Sequence, residues 1–150
     1  MKKRWFLIFI FILCSCTNYH LTIKEFRDIA LFNGYYLDNT NNEYKNYSYV
    51  KDVCYAYSRE SDYLIQFIEL NNDDYAYKFF LTNKEAIQDD TNEVIYQKEK
   101  NSNNYNLYHI KTREYIMIVI RMDNNIIYVN TTIDNNDTIT SFFDELNIEY

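Results

Sequence analysis

Apolar residues recur along this chain at two spacings. Three stretches carry them three and four residues apart, the spacing that lines one face of an α-helix: Ile23, Phe26, Ile29 and Ala30; then Ala76, Tyr77, Phe80, Leu81 and Ile87; then Ile139, Phe142, Phe143 and Leu146. Thr22 and Glu25 form a capping box ahead of the first, with Leu21 placed to staple against Phe26. Gly34, the single glycine, falls where a left-handed residue ends that helix. Asn71, Asn72, Asp73 and Asp74 give the second helix a polar, acidic start, and residues 135–137 do the same for the third.

Elsewhere the pattern alternates. Val53, Tyr55 and Tyr57 alternate with Cys54, Ala56 and Ser58, and after the polar turn 59–62 the alternation resumes over 63–70, which predicts an antiparallel hairpin. Residues 94–97, 105–110, 115–121 and 126–132 read as further strands, with Asp123, Asn124 and Asn125 as a tight turn. A short strand begins at 35–37, before an Asn-rich loop that reaches about residue 47. The order helix, strands, helix, strands, helix predicts an α+β domain over 21–150. In it about three helices pack on one face of an antiparallel sheet, and an α-β-β-β unit can be read twice.

The first twenty residues follow another rule. Lys2, Lys3 and Arg4 precede an unbroken apolar run over 5–13, too short to span a bilayer but of signal-peptide length. Leu13-Cys14-Ser15-Cys16 then resembles the lipobox of bacterial lipoproteins, with Cys14 standing where Ala, Ser, Thr or Val is usual. The resemblance covers this segment alone. It implies a signal peptide over 1–15, cleavage before Cys16, acylation of Cys16, and residues 16–20 as a spacer between the lipid and the domain. Two or three acyl chains make a stable anchor, so the expected location is the extracytoplasmic face of a cell membrane.

Charge and cysteine content narrow the partners. The net charge is −7, and removal of Lys2, Lys3 and Arg4 takes away three positive charges, leaving −10. Such a chain repels nucleic acid and anionic headgroups and favours cationic partners. With Cys14 removed and Cys16 acylated, Cys54 has no disulfide partner and reads as a small buried strand residue. The 17 Tyr and 10 Phe suggest a stacking surface. Their A/T-rich codons, shared with the abundant Asn, Ile and Lys, account for the excess without a function.

Candidate chemistry is sparse. One glycine excludes a P-loop, a dinucleotide fingerprint and a nucleophile elbow. His20 falls in the spacer and His109 reads as a sheet-face side chain. The acidic clusters 73–74, 89–90 and 134–137 read as helix caps and solvated turns. No metal and no cofactor is expected. Arg113, Arg121, Tyr105 and Tyr108 are the candidate binding residues. Arg121 continues the alternation of a strongly apolar strand, although a solvent-facing or edge arginine is its plainer reading. The expected function is a binding or interaction module, accessory to an envelope protein partner, with strand 105–110 as an edge for sheet addition. The alternative is a small-ligand carrier or hydrolase using a tyrosine-lined cleft between sheet and helices.

Overall fold

The computed structural model describes residues 20–40, 43–58 and 63–150. The segment 1–15 read as a signal peptide, Cys16 and the expected turn 59–62 lie outside the described residues, as do parts of the expected spacer and of the Asn-rich loop. The chain runs α1 (Ile23–Phe32), β1 (Tyr36–Asp38), β2 (Val50–Tyr57), β3 (Leu64–Leu70), α2 (Asp73–Asp90), β4 (Tyr96–Asn101), β5 (Tyr105–Lys111), β6 (Tyr115–Met122), β7 (Asn125–Thr132) and, after a 3-10 turn, α3 (Asn136–Glu145). The expected α+β class holds. The second α-β-β-β unit gains a fourth strand.

Local signals set the helix ends. The Thr22 hydroxyl accepts from the Glu25 amide, and the Glu25 carboxylate accepts from the Thr22 amide at 2.8 Å, closing the capping box. Gly34 takes φ +80° at the far end. Asn72 caps α2 by accepting from the Tyr75 amide at 3.0 Å.

Two antiparallel meanders, β1-β2-β3 and β4-β5-β6-β7, join through antiparallel pairing of β3 with β7. The result is a seven-stranded sheet in the order β1-β2-β3-β7-β6-β5-β4. The helices do not share a face. Phe26 and Ala30 of α1 pack with Ile139, Phe142 and Phe143 of α3 against Cys54, Phe67, Leu107 and Ile118. Ala76, Phe80 and Ile87 of α2 pack on the opposite face against Val53, Ile68, Tyr108 and Val119. β6 records this directly, because 116–122 is a continuous apolar and buried run broken only by Arg121, as a strand covered on both faces requires.

Strand 105–110 is not an edge. β5 pairs with β4 on one side and β6 on the other, so the edges are β1 and β4. β4 starts later than expected because its edge position tolerates charge: Lys98, Glu99 and Lys100 occupy it, while the apolar Val94 and Ile95 stay exposed ahead of it. Among the described residues no helix is long and apolar enough to cross a membrane.

Candidate functional site

The pleat of β5 sends Tyr105, Leu107, His109 and Lys111 toward the α1/α3 layer, and Asn106, Tyr108 and Ile110 toward α2. This separates the sequence-predicted binding residues. Tyr105 is buried under the segment after α3, its hydroxyl donating to the Glu149 carbonyl at 2.8 Å. Tyr108 is buried on the other face, with the Lys84 ammonium 5.2 Å from its ring centroid. Arg113 sits in the β5–β6 turn, at the opposite end of β6 from Arg121. It is mostly exposed and 3.9 Å from the equally exposed Glu93, an ion pair of little energetic weight.

Arg121 is neither solvent-facing nor at an edge: it is 3% exposed, on the α2 face. Its Nε donates to Asn106 Oδ1 at 2.6 Å, Nη2 to the Asn103 carbonyl at 2.7 Å and Nη1 to the Asp123 carbonyl at 3.4 Å. The Tyr77 ring covers the guanidinium at 5.5 Å. A polar cavity of about 610 Å³ opens beside it, lined also by Asp73 and Asp74. The guanidinium is committed to tying the β4–β5 turn to the β6–β7 turn, which explains a charged residue inside an apolar strand.

His109 is the opposite case. The Lys98 side of β4 lies directly across from it, and the chain beyond α3 folds over it. That return is built by Asn147, whose φ of 54° turns the backbone left-handed after the helix, with the Ile148 amide donating to the Phe143 carbonyl at 2.9 Å. Lys98 Nζ then holds the Tyr150 carbonyl at 2.8 Å, and the Tyr150 hydroxyl bonds to Thr140. His109 is left between two rings, Tyr96 at 5.1 Å and Tyr150 at 5.3 Å. It is 2% exposed, and neither ring nitrogen has a hydrogen-bond partner among the described residues.

A cavity of about 270 Å³ lies against this imidazole, lined by Tyr96, Lys111, Thr140, Asp144 and Tyr150 among others. Burial, helped by the like charges of Lys111 and Lys98, pushes the His109 pKa down to about 4. The ring is therefore neutral at pH 7, with one N–H to donate and one lone pair to accept. Leaving a buried donor or acceptor unmade costs about 1–3 kcal/mol, and His109 leaves both ring nitrogens unmade among the described residues.

No family model, curated protein or solved structure matches this chain.

The sequence reading placed His109 correctly on a sheet face but gave it no role. The overlooked signal was its parity with Tyr105 and Leu107, which puts an imidazole at a core-facing position. The cover supplied by 147–150 depends on a left-handed Asn147 that no local motif announces. Cys54 is buried as expected, and burial raises its thiol pKa, making it a poor nucleophile. Among the described residues no set of three metal-ligating side chains comes together.

Proposed function

We propose that the protein is a binding module held at the extracytoplasmic face of a cell membrane by lipid on Cys16, and that the His109 pocket is its contact site. The observation that carries the binding reading is the uncommitted imidazole. A general base needs an orienting partner on one nitrogen and a nucleophile on the other, and neither stands within hydrogen-bond reach of His109 among the described residues. A buried group with unmet hydrogen bonds beside an open cavity gains on contact with a ligand that supplies them.

The tether is supported by the lipobox-like Leu13-Cys14-Ser15-Cys16 and the basic and apolar segments before it. The described chain starts close to that segment, at the β6–β7 end of the sheet. There His20 Nδ1 lies 3.3 Å from Asp123 Oδ2, and Asn125 Nδ2 donates to the Leu21 carbonyl at 2.9 Å. An envelope protein partner remains part of this reading. Strand addition would use β4 rather than β5, against the charges of Lys98, Glu99 and Lys100. The experiment is fractionation of a bacterial host expressing the full chain, with intact-mass measurement of the recovered protein. Wild type is expected in the membrane fraction at the mass of the cleaved, acylated chain, and Cys16→Ser in neither state. A Cys16→Ser protein that stays with membranes at wild-type mass would overturn the tether.

A further inference from the structure

We infer that the His109 pocket takes an uncharged, polyhydroxylated ring of monosaccharide size, an inference that rests on the reading of this cavity as the binding site. Four observations converge on that class.

The first is the pair of unpartnered ring nitrogens on one buried imidazole. One must donate and the other accept, whichever tautomer is present. Both nitrogens are buried behind the Tyr96 and Tyr150 rings, so a ligand reaches one of them only as a ring shifts; a hydroxyl can then serve as donor or acceptor, and a ring bearing hydroxyls on adjacent carbons offers further groups to the pocket wall. The second is the aromatic wall. Tyr96 is 42% exposed at the rim and Tyr150 closes the other side, so the apolar C–H face of a ring can rest on a tyrosine while its hydroxyls turn to the polar groups.

The third is charge balance. Lys111, Asp144 and Glu149 line the cavity and Lys98 acts on His109 from outside the lining, so both signs surround the site, which disfavours a strongly anionic or cationic occupant. The cations are also engaged: Lys111 donates to Asn136 Oδ1 at 2.6 Å, and Lys98 holds the Tyr150 carbonyl. Glu149 pairs with Lys100 at 2.6 Å, whereas Asp144 has no ion-pair partner among the described residues and can accept from a hydroxyl. The fourth is size. At about 270 Å³ the cavity is just under the range that holds drug-sized molecules, and it exceeds several times the ~30 Å³ share of one water. One ring fits within it.

The test follows the imidazole nitrogens of His109 by long-range proton–nitrogen NMR in the uniformly labelled full chain. Glucose, galactose and N-acetylglucosamine are titrated to tens of millimolar, with inorganic phosphate, methylammonium and adenine as comparison probes. The expected result is a saturable shift of both His109 nitrogens with at least one hexose and no matching shift at His20. Tyr96→Ala should weaken that response at least fivefold, and Tyr36→Ala, an exposed tyrosine on the far edge, should leave it unchanged. A response to adenine, phosphate or methylammonium but to no hexose would overturn the ligand class and keep the pocket as a binding site. Silence to every probe, with only water exchanging at the nitrogens, would overturn both.

Discussion

Replacing Arg121 by methionine keeps much of the volume and removes the donors for Asn106 Oδ1 and for the Asn103 and Asp123 carbonyls. The expected loss is roughly 2–3 kcal/mol in urea unfolding at pH 7, while Arg113→Ala stays within ~0.5 kcal/mol. Equal effects at the two sites would contradict the clamp. His109 predicts a pH dependence. The folded imidazole titrates near 4 and the unfolded one near 6.5, so the unfolded chain binds the extra proton between those values. Stability is therefore full above about pH 6.5 and falls as pH drops toward 4, by about 3 kcal/mol in all. Glu25, Asp38 and Glu99, whose carboxyls are held below their ordinary range by hydrogen bonds, add their own losses only at the acid end. His109→Leu removes both unmet nitrogens. It should flatten the interval from 6.5 to 4.5 with no loss at pH 7, read as the urea midpoint at each pH. A sequence reading reaches Arg121 as an oddity in an apolar strand and passes over His109, because burial by residues forty positions away leaves no local trace.

At the scale of elements, the helices were legible because their ends are written locally: Thr22 with Glu25, Asn72, and Gly34 each satisfy or turn backbone groups within four residues. Nothing crowds a Cβ built on Gly34, so Gly34→Ala pays only for its positive φ, roughly 1 kcal/mol in unfolding free energy, with Gly34→Asn costing less. α2 carries a local conflict that the sequence reading missed. Asp73 and Asp74 suit its N-terminal end, but Asp89 and Asp90 lie in the last turn, which has no basic residue, against the helix dipole. Asp89→Lys and Asp90→Lys should each stabilise by ~0.3–1 kcal/mol, an effect that fades in high salt. An unchanged or lower midpoint at low salt would contradict the dipole argument. The placement of α2 opposite α1 and α3 was also readable in part. The unbroken run Ile116 to Ile120 has no polar face to give to water, and helices on one side alone would have left it exposed.

On the scale of the whole molecule, the sheet is a wall between two helical layers, and the Arg121 and His109 cavities lie on opposite faces, while a third cavity of about 650 Å³ is lined by Arg113 and the residues after α2. The Arg121 cavity, on the α2 side, shares its end of the sheet with His20 and Leu21, the first described residues. The His109 pocket lies on the other side, at the β4 edge, under residues that follow α3. Global topology was the least legible level, since antiparallel pairing of β3 with β7 across some sixty residues is set by shared apolar faces rather than by any turn. The central claim is that this pocket is where the protein meets its ligand. The most direct measurement places a photo-crosslinking amino acid at Tyr96 in living cells, with the same residue at Tyr36 as the control, and reads adducts by intact mass. The account predicts an adduct at Tyr96 that vanishes from the Tyr36 variant and is diminished when His109→Leu is combined with the Tyr96 label. Equal labelling at both positions, or none at Tyr96, would contradict it.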